Sequence, residues 1–351
     1  MSNPTKIYND YVRANLPSNM TFDSITSRYD INNHSFFKFK KSNWYFKYIT
    51  KFGYAPVTDF VMTIATTGAN ETFTIPCQNN GTFNAGIEWG DGSVSTVTSY
   101  NDASLTHTYA TAGDHLIRIR GSFPNIYFNN TGDKLKVKSV ENLGVVGWTT
   151  LVKAFRGCTN MTSFTVGTTD TSSVTNMSNM FNGSSSLTSL DVSNFDTSSV
   201  TNMSSMFRAL TNLTSLNLSS FDTSSVTNMS TMFRDSNSLT SLDLSNFDTS
   251  SVTNMREMFY DCNALTSLVG AEDFNITGLN STNDLTGFIR TGRMTTAQYD
   301  ALLVKWDAQS VFSNLSPNFG ASQYTAGSAA ATARANLISS DGWTISDGGT
   351  A

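Results

Sequence analysis

LTSLDLSNFDTSSVTNMREMF, residues 239–259, returns through this chain almost unchanged. Leu187, Leu213, Leu239 and Leu265 stand 26 residues apart. Met180, Met206, Met232 and Met258 keep the same interval, each followed by a phenylalanine, Phe181, Phe207, Phe233 and Phe259. A degraded earlier copy holds the phase at Met161, Phe164, Val166, Asp170, Val174 and Met177, and Val137 to Leu143 reads as an opening turn with shorter spacing. Self-similarity at a fixed period of this length is the signature of a stacked repeat. The array is expected over residues 137–270.

Within a copy, Leu239, Leu242 and Leu244 alternate as on a short strand, leaving Thr240, Asp243 and Ser245 to point outward. The spacing of Val252, Met255 and Met258/Phe259 is helical or 3₁₀, and Asp248 before Thr-Ser-Ser suits an N-cap for that turn. One copy is thus strand, corner, short helix and return. No copy can bury its apolar side alone, so neighbours must stack into a solenoid.

Stacking turns single residues into columns. Asn176, Asn202, Asn228 and Asn254 fall beside the core, where their amides can bond to the backbone of adjacent turns. Asp170, Asp196, Asp222 and Asp248 form a column of like charges ~5 Å apart, which needs compensation. Capping with solvent is one answer and shared calcium another, although each turn brings one carboxylate rather than a cage. Outward lanes hold Thr188, Thr214, Thr240 and Thr266 beside Asp191, Asn217 and Asp243. These seven are the candidate binding residues: a neutral, hydroxyl-rich face that suits glycan or protein and lacks aromatic anchors. Regular threonine lanes also fit an ice-binding solenoid.

Residues 57–136 read as strands. Val57 to Ile64, Phe73 to Ile75, Gly86 to Trp89 and Leu116 to Ile119 are apolar-rich, and Gly90-Asp91-Gly92 is a tight hairpin turn. Trp89-Gly-Asp-Gly-Ser followed by His107-Thr-Tyr109 and Gly113 resembles a PKD-type β-sandwich. Gly121 to Phe128, Trp148, Ala154 to Met161 and the repeats resemble the BspA-like surface proteins, as do Met294 to Tyr299 and Gly342 to Ile345 near the C-terminus. The likeness covers about 57–351. It implies a PKD/Ig-like β-sandwich followed by a leucine-rich-repeat solenoid, a mainly β chain with short helices. It also implies a surface protein concerned with adhesion, and similar modules occur in phage proteins.

After residue 270 the period breaks. Ala297 to Trp306 and Ala326 to Ile338 have helical spacing, and Trp343-Thr-Ile345 reads as a last strand, so 271–351 is expected to be an α/β cap. Residues 1–56 differ from everything after them. They carry eight Lys/Arg against Asp10, Asp23 and Asp30, about +5, which leaves about −10 for the rest of a chain of net charge −5. Phe36, Phe37, Phe39, Lys40, Trp44, Tyr45 and Phe46 interleave base with aromatic side chain. That pattern fits a strand pair, or docking onto a partner protein, and only weakly a nucleobase-stacking surface. The segment is assigned as an anchor.

Charged residues make up 14% of the chain, so its surface is largely Ser, Thr, Asn and Gly, as in all-β proteins that work outside cells. Neither nucleic acid nor membrane insertion is expected: the balance is acidic, and no run approaches ~18 apolar residues. No secretory h-region is legible at the start. Cys158 and Cys262 share a repeat phase four turns apart, ~19 Å and beyond disulfide reach. Chemistry is not expected either. His34, His107 and His115 sit in no nucleophile or metal spacing, and Glu88 with Asp91 merely flanks a hairpin turn. No cofactor follows. The expectation is a non-enzymatic binding protein on a virion, as tail fibre or capsid-surface protein within a larger and homo-oligomeric assembly. It would contact host surface glycan or protein; the alternatives are a bacterial cell-surface adhesin and a purely structural decoration protein.

Overall fold

The computed structural model describes residues 58–351. The chain divides at Val57/Thr58, and Thr58–Ala351 is the unit described. The residues assigned to anchoring, Phe36 to Phe46, lie outside the described ones.

The second unit is mainly β with few short helices. Its strands are β1 (Phe60–Thr66), β2 (Glu71–Thr74), β3 (Asn84–Glu88), β4 (Val94–Val97), β5 (Thr106–Tyr109), β6 (Gly113–Ser122), β7 (Val137–Asn142), β8 (Ser163–Thr165), β9 (Ser189–Asp191), β10 (Ser241–Asp243) and β11 (Ser267–Val269). Two helices follow, α1 (Thr296–Asp307) and α2 (Ala329–Ser339). Strand alternation places Phe60, Met62 and Ile64 of β1 and Ile117 and Ile119 of β6 in the core. The β3–β4 hairpin turns through Gly90, whose φ is +87°. A Cβ there would lie 2.7 Å from the Leu116 backbone nitrogen, so the close approach of β6 requires glycine.

One seven-stranded sheet runs in the order β4-β3-β6-β1-β7-β8-β9, and β2 pairs with β5 apart from it. Strand β7 pairs antiparallel with β1 and parallel with β8. The expected boundary at 136/137 therefore falls inside a continuous sheet. The apolar core crosses it too, running as one cluster from Phe60 through Phe128, Phe155 and Phe259 to Trp343.

From residue 151 onward the repeats stack. No helix, α or 3₁₀, forms over Val252 to Phe259: isolated i→i−3 turns stand there, as where the Met258 N–H donates to the Met255 carbonyl at 3.2 Å, with Glu257 at a φ of 54°. The reason lies in where the backbone donors go. Met203, Ser205, Phe207 and Ala209 donate their N–H groups to Asn228, Ser230, Met232 and Arg234 of the next turn, at 3.0, 3.0, 3.0 and 2.8 Å. Alternate N–H groups committed to a neighbouring turn cannot close an i→i−4 ladder. A left-handed residue in each turn, Lys153, Asn179, Ser205, Thr231 and Glu257, supplies the kink that aims them there.

Side chains follow the same translation. Phe155, Phe181, Phe207, Phe233 and Phe259 form a column with centroids 5.4–6.1 Å apart and planes within 16° of parallel. Phe288 ends it edge-on at 5.2 Å. Such ring pairs add about 0.5–1.5 kcal/mol each beyond area burial. Buried Thr171 and Thr197 clamp turns together, each hydroxyl donating to the carbonyl of Asp196 or Asp222 and accepting from the same residue's N–H. The asparagine column behaves differently from the expectation. Its backbone bridges neighbouring turns, but each Oδ1 closes its own turn by accepting from the N–H two residues on, at 2.9–3.0 Å.

The ladder outruns the sequence repeat at both ends. Phe128 and Asn130 already donate to Ala154 and Arg156. Beyond residue 270, Met255, Glu257 and Phe259 donate to Asp284, Thr286 and Phe288, and Ile289 to Asn318. Residues 343–345 form no strand; Ser346 makes a single bridge to Asn318. On the strand side the pairing lapses at 214–217, which join neither β9 nor β10, and Leu190 and Leu216 are only partly buried there. Leu213 is 1% exposed. Leu213→Ala is therefore expected to cost about 2–5 kcal/mol in chemical denaturation, and Leu216→Ala distinctly less. Equal losses would put both leucines in the core.

Candidate binding face

The outward threonines stand on the strand side of the stack, held by the parallel register Ser163↔Ser189 and Ser241↔Ser267. Thr188, Thr214, Thr240 and Thr266 are all exposed, as are Asn217 and Asp243, while Asp191 is half-buried. Backbone bonds bring Thr188 onto Thr162 and Thr266 onto Thr240, each at 3.0 Å. The hydroxyls of Thr188 and Thr266 also donate to those carbonyls, at 3.3 Å. Asp191 and Asp243 each accept from the N–H and hydroxyl of the serine two residues on, and Asn217 accepts from the Ser219 N–H. The face is thus polar but largely engaged with itself. Beside Thr162 opens a groove of ≈ 580 Å³ lined in part by Glu71, Lys136 and Lys138. Its charges are matched: Lys136 sits 3.1 Å from Glu71 and 2.8 Å from Asp133, and Lys138 sits 3.0 Å from Asp114. The Thr67 N–H, Lys136 and the Gly68 N–H hold Glu71 down to about 2.

The aspartate column is capped locally. Asp170, Asp196 and Asp222 accept from the backbone N–H and hydroxyl of Ser172, Ser198 and Ser224, and Asp248 from the Ser250 N–H. Those serines lower the pKa of Asp170, Asp222 and Asp248, against slight burial and, at Asp248, repulsion from Asp222. Each turn's single carboxylate is satisfied by its own loop. Excess EDTA is expected to leave the melting temperature unchanged, and a fall reversed by calcium would make this column a metal site.

The WGDGS and HTY motifs meet in one aromatic cluster. His107 stacks on Trp89 at 5.0 Å, and its Nε2 lies 2.7 Å from Asp91 Oδ2. Tyr109 donates to the Trp89 carbonyl at 2.9 Å and stacks on His115 at 3.7 Å, while His115 Nε2 lies 2.9 Å from the Thr66 hydroxyl. Burial pushes Asp91 up, but hydrogen bonds from His107 and Ser93 outweigh it and hold the group below its usual value. Glu88, buried on β3 opposite Arg118, stands apart from that arrangement. Every contact of the cluster ties β1, β3, β5 and β6 together, which is a packing role. Burial lowers His115 below its ordinary value despite the nearby Asp91 and Asp114 carboxylates. A depressed folded pKa means the stabilisation is fully present above about pH 6.5 and is lost as pH falls through the folded value. Thermal melts should drop as pH falls below about 6.5, and His115→Gln should flatten that slope; an unchanged slope would assign it to another group.

A second surface escapes the period-based reading, because it lies where the copies differ. Arg208 reaches Asp235 at 3.2 Å, Arg234 contacts Asp235 and Glu257, and Arg256 reaches Glu257 at 3.2 Å. Arg234 and Arg290 lie over the Tyr260 ring, 4.5 and 4.9 Å from its centroid. The signal available in sequence was the departure of these positions from their repeat neighbours.

Among the described residues no helix is long and apolar enough to cross a membrane. No group of three or more His, Cys, Asp or Glu side chains is placed to hold a metal there. No curated protein matches the chain. Residues 149–272 match a family model described as Mycoplasma protein of unknown function, DUF285, a family associated with BspA-like surface proteins.

Proposed function

We propose that this chain is a non-enzymatic, surface-displayed binding protein, with a PKD-like β-sandwich at its start and a leucine-rich-repeat solenoid of 26-residue turns as its displayed part. The observation that carries the reading is the translation of one turn into the next. Near-identical copies, bonded backbone to backbone, present a long rigid surface of polar and charged side chains. The match over 149–272 to a family associated with BspA-like surface proteins supports the surface display alone. Weak contacts repeated along such a surface add through multivalency rather than through one pocket. The favoured setting is a virion, as tail fibre or capsid-surface protein, where residues 1–56 hold the chain to its neighbours and the turns face host glycan or protein. The resemblance of the repeats and the sandwich to phage-borne modules supports that setting. The second reading is a bacterial cell-surface adhesin, which the Mycoplasma description of the matching family favours.

Two forms of the protein test this. All the described sheets and stacked turns lie within 58–351, so a chain beginning at Thr58 is expected to fold and to bind intact host cells saturably. It is expected not to join the particle or cell surface that the full chain joins. Saturable binding by neither form would overturn the binding reading. Equal incorporation of both would move the anchor out of residues 1–56 and into the segment after 270.

A further inference from the structure

We propose that the ligand is selected by the charged edge of the stacked turns rather than by the threonine lanes, and that it is a polyanionic glycan. This rests on the surface-binding function above and names its site and its chemistry.

The copies themselves separate the two surfaces. Across 174–199, 200–225 and 226–251 the stretches Val-Thr-Asn-Met-Ser, Leu-Thr-Ser-Leu and Phe-Asp-Thr-Ser-Ser do not change. These hold the side chains that stack, clamp and cap. Change gathers at the left-handed turns: Asn179 gives way to Ser205, Thr231 and Glu257, Asn182 to Arg208, Arg234 and Tyr260, and Gly183 to Ala209, Asp235 and Asp261. Asparagine and glycine are the residues this backbone favours, with φ of 58° at Asn179 and 77° at Gly183. Later copies keep the same left-handed backbone, at 55° and 63° for Thr231 and Asp235, and place less suitable residues on it. Relaxed constraint would not favour charged residues at strained positions.

Charge is also misplaced for chance. Residues 58–351 hold 14 Lys/Arg against 24 Asp/Glu. Every Lys and Arg between 139 and 292 nonetheless belongs to this edge: Lys153, Arg156, Arg208, Arg234, Arg256 and Arg290. The acids among them, Asp235, Glu257 and Asp261, are fewer, so the edge is net positive on an otherwise acidic unit.

Those acids and the Tyr260 ring hold the guanidinium groups in place before any ligand arrives. The Arg256 and Arg290 side chains remain 53% and 52% exposed. Guanidinium forks fixed in this way match carboxylate or phosphate oxygens bidentately and lose little freedom on binding. Arg208 and Arg234 share one phase of the repeat in consecutive turns, ~4.8 Å apart, and Arg256 and Arg290 extend the cations into the turns that follow, which suits a polymer that repeats its own anion. The threonine lanes offer no cation, and Asp191 and Asp243 among them repel anions.

The test uses the full chain with three soluble polymers: a polyuronate, a phosphodiester-linked polysaccharide and neutral dextran. The two anionic probes distinguish carboxylate from phosphate as the group read. Binding is expected to one anionic polymer and not to dextran, with affinity falling steeply as salt rises. Arg256→Ala with Arg290→Ala should weaken it about tenfold or more while the melting temperature holds, because both side chains are largely exposed. Thr188→Ala with Thr240→Ala should leave it unchanged. The proposal is overturned if neither anionic polymer binds, if the arginine pair only lowers the melting temperature, or if the threonine pair is the one that loses binding. Host-cell binding that survives any of those outcomes leaves the surface-binding function standing. Its absence in the unmodified chain defeats that function itself.

Discussion

Everything in the second unit depends on the direction taken by a few backbone N–H groups. In each turn between 151 and 235 four alternate donors, as at Met203, Ser205, Phe207 and Ala209, cross to the carbonyls of the following turn. A buried donor left unpaired costs about 1–3 kcal/mol, so this commitment cannot be undone locally. It excludes the helix that the apolar spacing suggests, and it brings successive copies to the close separation at which their side chains must coincide. The phenylalanine column, the threonine clamps and the buried serines at 184 and 236, which donate to Phe155 and Phe207, are consequences of that separation. Cys262 sits at the phase of those serines, and its thiol contacts the Phe233 carbonyl at 3.0 Å. Burial pushes that thiol up to about 12, so it behaves as a small core residue rather than a nucleophile.

The same commitment joins the two ends of the unit to its middle. Strand β7 bonds to β1 on one edge and to β8 on the other, so the first sheet is the surface on which the turns are laid. Gly144 marks the junction. At φ of +73° a Cβ would stand 2.4 Å from the Phe60 nitrogen, and only glycine lets the chain leave β7 against β1. At the far end Phe288 turns its edge to Phe259 and meets Trp306 of α1 at 5.7 Å, closing the aromatic column with a helix. A stack of this kind needs such covers, since its last turn otherwise exposes unpaired donors.

How much of this was legible in the sequence depends on which atoms carry the information. The period, the buried Leu, Met, Phe and Val positions and the hairpin at Gly90 are side-chain facts, and they read directly. The backbone ladder is indifferent to side chains. It therefore begins at Phe128 and runs to Ser346, well outside the copies that identity reveals, through turns stretched beyond 26 residues. Val252, Met255 and Phe259 misled for a related reason. Spacings of three and four describe which side chains point inward, and a kinked chain of turns meets them as well as a helix does. On the candidate face, exposure of the threonines was legible, but the local bonds that occupy Thr188, Asp191 and Asp243 were not. A period-based reading also averages away differences, so the arginines at 208, 234 and 256 drop out of it.

The identity of neighbouring copies makes length a free variable of this molecule. Removing residues 200–225 would join Ser199 to Val226 and recreate a junction already present at Ser225–Val226. Every clamp, stacked ring and crossing hydrogen bond at that seam would find a partner of the same kind. The stack would shorten by one strand spacing, ~4.8 Å, with both covers intact. Unequal exchange between near-identical stretches of coding sequence can therefore lengthen or shorten the protein in whole turns. Reach becomes heritable in fixed increments without a new fold having to be found.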